Sequence, residues 1–81
     1  MKVAKEVINI VKELSGKETV NETDSLQDDL ALDSLEMVML LLAIEDVFSV
    51  ELKESDMNPF DLITVSDIID LVGEYIEVNY E

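Results

Sequence analysis

The sequence predicts an all-α protein, a small bundle of three main helices plus one short helix. Three observations lead to this fold class. Apolar residues recur at three- and four-residue steps in three segments. Residues that favour helix N-termini, Asp33 and Thr64, stand at the start of two of these segments. No segment shows the alternation of apolar and polar residues that is typical of a half-buried strand.

The first segment predicts a helix over about residues 3–14. Ser15-Gly16 ends it, because Gly most easily takes the left-handed conformation found after helix C-termini. The connection that follows, residues 16–32, is long for so small a protein, and such loops are more often functional than idle. Four apolar residues are predicted to anchor this loop to the core: Val20, Leu26, Leu30 and Leu32.

The second helix is predicted to begin at Asp33-Ser34 and to run to about Phe48. Asp33 is its N-cap, and Glu36 completes a capping box. A short helix is predicted near residues 55–61, where Ser55 is a possible cap and Asn58-Pro59 marks either a second helix start or a break.

The last helix is predicted to follow Thr64 as its N-cap, with Asp67 three residues later. Gly73 weakens this helix toward its end. Tyr75 and Tyr80 are expected to cover its surface.

Length and composition limit the possible functions. The chain has 81 residues and a formal net charge of −15, which predicts a single domain over 1–81 with an anionic surface. Five lysines and no arginine stand against 20 acidic residues, which argues against nucleic acid and anionic membranes as partners. The absence of His and Cys excludes Cys–His and Ser–His–Asp catalysis, the usual zinc sites and disulfides. A non-catalytic protein without a metal site is therefore expected.

Membrane insertion and secretion are not expected either. The longest apolar run, Met37–Ile44, is far shorter than the roughly 20 residues of a membrane span. The N-terminus alternates lysines with single apolar residues, unlike a secretory signal. These features predict a cytoplasmic protein.

The second helix carries the most information about function. Residues 37–44 are apolar on every face, whereas a surface helix of a small bundle needs only one apolar stripe. Its extra apolar face predicts contact with a ligand or partner, unless the helix is unusually central or forms a homodimer interface. Ser34 lies at the N-terminus of this helix, where free N–H groups and the helix dipole favour a phosphate. In an arbitrary Asp-Ser pair, a serine at this position is far more often a first-turn residue that satisfies a free backbone N–H.

Residues 29–35 read Asp-Leu-Ala-Leu-Asp-Ser-Leu and resemble the attachment motif of acyl carrier proteins, Asp-Leu-Gly-x-Asp-Ser-Leu. Residues 36–38, 43–48 and 63–70 also match that family, and the resemblance runs from the first helix to the last. It implies an acyl-carrier-like bundle in which Ser34 receives 4′-phosphopantetheine from coenzyme A through a separate phosphopantetheinyl transferase. The thiol of that arm would carry acyl groups as thioesters for fatty-acid or related biosynthesis.

The resemblance also implies surfaces for cargo and for partner enzymes. The inner face of the second helix, with the first, third and last helices, would line a cleft for an acyl chain. Its outer face would dock on the basic surfaces of synthases, ligases or transferases, in an exchange between a monomeric carrier and several enzymes. The implied docking residues are Asp33, Leu35, Glu36, Met39, Glu45 and Asp46.

Three departures from the family pattern point to a carrier dedicated to one pathway. Ala31 replaces the usual Gly before the motif, so a left-handed backbone there would be strained. Met39 replaces an often acidic residue, and residues 52–64 are about two residues longer than usual. The alternatives are an aminoacyl or D-alanyl carrier of the same fold, and a non-carrier acidic helical interaction module.

Overall fold

The computed structural model describes residues 3–58 and 61–80, without the side chains of residues 77–80. It contains helices α1 (Val3–Ser15), α2 (Ser34–Phe48) and α3 (Val65–Tyr80), with a short 3₁₀ helix, η1 (Glu54–Met57), between α2 and α3. Helix α1 packs against both α2 and α3. The predicted all-α class, with three main helices and one short one, is confirmed.

The first helix ends as its sequence predicts. Gly16 has a φ of 71°, and its amide donates to the Lys12 carbonyl at 2.9 Å. This left-handed residue satisfies one of the carbonyls that the last helical turn leaves without a partner. The buried side of α1 consists of Val7, Ile10 and Val11.

The long connection between α1 and α2 is part of the core. All four predicted anchors are buried: Val20, Leu26, Leu30 and Leu32. The amide of Leu26 donates to the Ile63 carbonyl at 2.8 Å, and an isolated bridge joins Ser25 to Thr64. The loop is therefore fixed to the segment that leads into α3.

The same capping arrangement begins α2 and α3. Asp33 accepts the Glu36 amide at 2.8 Å, and the Glu36 side chain accepts the Asp33 amide at 3.2 Å. At α3, Thr64 Oγ1 accepts the Asp67 amide at 3.3 Å, and Asp67 accepts the Thr64 amide at 3.0 Å. Both predicted N-caps are confirmed. They fix the direction in which each helix leaves its loop.

The short helix is smaller than predicted. Only Glu54–Met57 form a 3₁₀ turn, preceded by Lys53 without a side-chain cap. Asn58 is extended, with φ −70° and ψ 114°, because a residue before proline avoids the helical region. The predicted span near residues 55–61 is therefore wrong at residues 58 and 61, which are not helical. Residues 59 and 60 lie outside the described part of the chain.

The core lies where α2 meets the other elements. The inner face of α2 is buried and consists of Met37, Leu40, Leu41, Ile44 and Phe48. Val7 and Val11 of α1 and Ile68 and Val72 of α3 are fully buried in the same core. Within residues 3–58 and 61–80, no helix combines the length and apolarity needed to cross a membrane.

Replacing Gly73 by Ala is expected to stabilise the protein. Gly73 lies inside α3, and a Cβ placed on it meets no atom within 4 Å. Because Gly costs a helix interior about 0.5–1 kcal/mol relative to Ala, Gly73→Ala should raise the free energy of unfolding by about that amount. Thermal denaturation measures the change, and a lower melting temperature would contradict it.

The Asp67 carboxylate makes stability depend on pH. The amides of Thr64 and Ile63 donate to it, and these bonds hold the pKa of Asp67 below its usual value of 3.8. Its contribution is therefore complete above the unfolded-state pKa and is lost as pH falls through the lower folded-state pKa.

Between pH 5 and pH 3, the wild type should lose more unfolding free energy than Asp67→Asn, which cannot titrate there. Asp70→Asn removes an exposed carboxylate from the same helix and is the control. Urea denaturation at several pH values measures the slopes, and equal slopes for the two variants would refute the assignment.

Candidate functional site

Ser34 lies beside an apolar cleft at the start of α2. It is the first residue of the helix and is exposed. The cleft has a volume of about 540 Å³. Its lining residues are Ser25, Gln27, Asp28, Ser34, Met37, Val38, Leu41, Met57, Leu62 and Ile63. A hydroxyl open to solvent thus adjoins a cavity large enough for a small apolar group.

The cleft is lined by residues from several elements. Ser25, Gln27 and Asp28 come from the loop before α2, whereas Met57 comes from η1. The first and last helices, which the resemblance implied as lining, contribute none of its described lining residues. The innermost side chains of these two helices, such as Val7, Val11, Ile68 and Val72, are instead fully buried in the core.

The backbone at Ser34 fits a phosphodiester on its hydroxyl. The first helical hydrogen bond of α2 runs from the Met37 amide to the Asp33 carbonyl at 2.9 Å. The amides of Ser34 and Leu35 precede that bond and lie at the positive end of the helix dipole. These groups can stabilise a phosphate attached to the serine even though the protein as a whole is acidic.

The loop before Ser34 keeps a left-handed turn without a glycine. Ala31 has a φ of 54° and is exposed. The predicted strain is therefore present, since a left-handed conformation costs a residue with a Cβ about 1–2 kcal/mol. The side chains on either side of Ala31, Leu30 and Leu32, are buried in the core. Their packing holds the backbone of Ala31 in this strained conformation.

Ala31→Gly is expected to stabilise the protein. The substitution removes the Cβ strain but gives the unfolded chain more freedom, which offsets about 0.4–1 kcal/mol of the gain. The net rise in unfolding free energy should be about 0.5–1 kcal/mol. Chemical denaturation of the two proteins measures it, and destabilisation would show that the left-handed turn is absent.

The outward face of α2 is apolar and open to solvent. Leu35 is 68% exposed and Leu42 is 57% exposed, and Val38 and Met39 also lie outside the core. Central burial therefore does not explain the all-round apolarity of this helix. Five residues spaced three or four apart form this outward face: Leu35, Val38, Met39, Leu42 and Asp46.

The acids near this face differ in how they are held. The half-buried Glu45 carboxylate accepts the Leu52 amide at 2.8 Å and so fixes the chain after α2. Glu36 and Asp33 belong to the capping box, whereas Asp46 is exposed on the outward face. Among the described residues, no group of three or more acids is arranged to hold a metal ion.

Tyr75 has a role that its position in the sequence did not indicate. Its hydroxyl accepts the Lys53 amide at 2.8 Å and donates to the Asp56 carboxylate. Apart from its spacing within the last helix, the sequence contains no signal for a contact 22 residues away. The side chain of Tyr80 lies outside the described part of the structure.

Comparisons with known proteins identify the family of the chain. A family model described as "Phosphopantetheine attachment site" matches residues 5–72. The chain is 33% identical over 70 residues to the acyl carrier protein of Syntrophobacter fumaroxidans, covering 84% of each chain. It is 35% identical over 74 residues to that of Coprothermobacter proteolyticus, covering 88% of this chain and 87% of the relative.

A solved structure gives the same result at the level of the fold. The crystal structure of the acyl carrier protein of Thermotoga maritima superposes with a TM-score of 0.76 at 27% identity, covering 93% of this chain and 87% of that one. A matching family model, matching relatives and a matching bundle leave one conclusion. The chain belongs to the acyl carrier proteins, the family of non-catalytic carriers with covalently attached 4′-phosphopantetheine.

Proposed function

We propose that Ser34 is the attachment point of 4′-phosphopantetheine and that the arm's thiol carries acyl groups as thioesters. The observation that carries this proposal is the exposed Ser34 at the N-terminus of α2, next to the apolar cleft. The arm brings a thiol, a reactive group that the chain does not contain because it has no cysteine.

We propose that a separate phosphopantetheinyl transferase modifies Ser34, because the chain lacks the usual base for activating a serine hydroxyl. The chain contains no histidine to accept the proton of Ser34. The transferase, with magnesium, would move the 4′-phosphopantetheine group from coenzyme A to Ser34. The bond from Oγ to phosphorus forms as the phosphoanhydride bond of coenzyme A breaks, adenosine 3′,5′-bisphosphate leaves, and a base of the transferase takes the serine proton. The contribution of the carrier is an accessible hydroxyl on a rigidly capped helix.

A thiol assay tests this proposal without background, because the chain contains no cysteine. The protein is incubated with coenzyme A and a broad-specificity transferase, and then freed of small molecules. We expect one reactive thiol per chain, together with the mass gain of one phosphopantetheine. No thiol and an unchanged mass would reject the carrier function.

The cleft favours an apolar acyl cargo over an aminoacyl cargo. Met37, Leu41 and Leu62 line it with buried apolar surface. An acyl chain that enters it gains the free energy of leaving water, about 0.8 kcal/mol per buried methylene. We therefore propose a carrier of fatty-acid or related polyketide and lipid intermediates. A medium-length acyl group should stabilise the loaded protein, whereas an alanyl group should not.

We further propose that partner enzymes dock on the outward face of α2 and the acids around it. The proposed contact residues are Asp33, Leu35, Glu36, Met39, Glu45 and Asp46. A net charge of −15 disfavours a second copy of the chain and favours a basic partner surface, whose association weakens with salt. The exposed side chains of Leu35 and Met39 can make apolar contacts with the partner, surrounded by the contacts between acids of this chain and the partner's basic residues.

A further inference from the structure

The short helix η1 is joined to α3 by a single phenol. Tyr75 of α3 is half-buried, and its hydroxyl lies between two groups of the segment that contains η1. It accepts the amide of Lys53, the N-cap of η1, at 2.8 Å. It donates to the carboxylate of Asp56, inside the helix. One side chain thus binds this turn at two points.

Besides Tyr75, the turn is held by Met57, which packs against the core, and by the bond from Leu52 to Glu45 just before the turn. None of the four residues of η1 is buried, and Lys53 makes no side-chain cap bond. Its internal support includes the bond from the Asp56 amide to the Lys53 carbonyl at 2.9 Å. A 3₁₀ helix of one turn is marginal by itself, because its hydrogen-bond geometry is poor and its length is too short for cooperativity.

The same turn ends at the cleft. Met57, the last residue of η1, is half-buried and lines the cleft together with Met37 and Leu41 of α2. Met57 directly follows Asp56, so a displacement of the Asp56 backbone also moves Met57. The position of one cleft-lining residue therefore depends on the contact between Tyr75 and Asp56.

On the basis of the proposed function, we propose that Tyr75 is a positioning residue that holds η1 and Met57 over the acyl chain. The hydroxyl limits opening of the cleft on the η1 side and so protects a buried cargo from solvent. The hydroxyl makes both hydrogen bonds to the segment, so its removal tests this role while the ring is kept.

The surroundings of Tyr75 keep its hydroxyl a donor. Burial of the phenol, followed by its hydrogen bond to Asp56 and the nearby charges of Asp56 and Glu74, raises the pKa of Tyr75 above its usual value of 10.0. The bond from the Lys53 amide acts in the opposite direction. The phenol therefore stays neutral in neutral solution and keeps the proton that it shares with Asp56.

Tyr75→Phe removes the hydroxyl and keeps the ring. Amide hydrogen exchange of the phosphopantetheinylated protein should become about tenfold or more faster in residues 53–57, because both hydrogen bonds of the hydroxyl are lost, while exchange in α1 and α2 stays unchanged. A medium-length acyl thioester on the variant should react several-fold faster with hydroxylamine. An acetyl thioester, which is too short to need cover, should react at the wild-type rate.

Two variants at residue 56 complete the test. Asp56→Ala removes one of the two hydrogen bonds without altering α3 and should produce the same changes as Tyr75→Phe to a smaller extent. Asp56→Asn keeps an oxygen acceptor and should remain close to the wild type. Wild-type acyl protection in both Tyr75→Phe and Asp56→Ala would overturn the proposal, as would equal acceleration of the acetyl and medium-length thioesters.

Failure of this inference is distinguishable from failure of the proposed function. If the wild-type protein never acquires a thiol, the carrier proposal fails, and with it the role of Tyr75 in covering cargo. If the thiol forms but the Tyr75 and Asp56 variants exchange the amides of 53–57 at the wild-type rate, only the contact between Tyr75 and η1 is rejected.

Discussion

Ser34→Ala is expected to abolish phosphopantetheinylation completely, with no thiol and no mass gain after prolonged incubation with coenzyme A and transferase. The fold should persist, because the capping box of α2 is formed by Asp33 and Glu36 and does not use the Ser34 hydroxyl. Circular dichroism and thermal denaturation should therefore match the wild type, since substitutions at exposed positions of this kind usually change stability by less than about 0.5 kcal/mol.

Ser25→Ala is the matched control for this experiment. Ser25 also lines the cleft, but its Oγ accepts the Asp28 amide at 3.1 Å. The variant should lose some stability yet acquire one phosphopantetheine like the wild type. Residual modification of Ser34→Ala, or loss of modification in Ser25→Ala with the fold intact, would contradict the assignment.

Leu26→Ala is expected to cause the largest loss of stability among the substitutions considered. Leu26 is fully buried, its amide donates to Ile63, and its carbonyl accepts the Leu32 amide at 2.9 Å. A Leu-to-Ala change in a packed core costs about 2.7–5 kcal/mol. The whole domain has only about 4–12 kcal/mol, from roughly 0.05–0.15 kcal/mol per residue. Urea denaturation should show a strongly shifted midpoint.

Leu42→Ala makes the same chemical change on the outward face of α2. Leu42 is 57% exposed, so its truncation leaves no cavity and should alter the unfolding free energy by less than about 0.5 kcal/mol. A similar effect of both substitutions would mean that the loop before α2 is not packed as described. A small effect of Leu26→Ala alone would show that this loop can separate from the core.

Local signals made much of this fold predictable. Asp33 and Thr64 lie within three residues of their capping partners, so the sequence displays both halves of each helix start. Gly16 likewise marks the end of α1 within one turn. The buried loop anchors were predictable because isolated apolar side chains in a polar connection are stabilised by packing against the core. In each of the capped helix ends, the interaction that decides the structure joins residues that are close together in the sequence.

Long-range interactions were not predictable in the same way. The bond between Glu45 and Leu52 gives an apparent docking acid a role in holding the chain after α2. The contact between Tyr75 and the η1 segment depends on how α3 packs, which no local pattern encodes. The lining of the cleft also differs from the expectation, because inward residues of α1 and α3 are buried in the core and do not face the cleft.

The position of Ser34 could be predicted from the sequence, but its function could not be inferred from the serine alone. A serine after an N-cap is common, and only the surrounding motif gave it a meaning beyond capping. The structure adds an exposed side chain and an adjacent apolar cleft. The chain contains neither histidine nor cysteine, which is consistent with a protein that is modified by another enzyme.

Peptide mapping of the modified wild-type protein tests the central claim most directly. After incubation with an acyl-coenzyme A and a transferase, the protein is digested and its peptides are fragmented in a mass spectrometer. The account predicts one acyl-phosphopantetheine per chain, localised to Ser34. An unmodified chain, or an arm on a different hydroxyl such as that of Ser25, would contradict it.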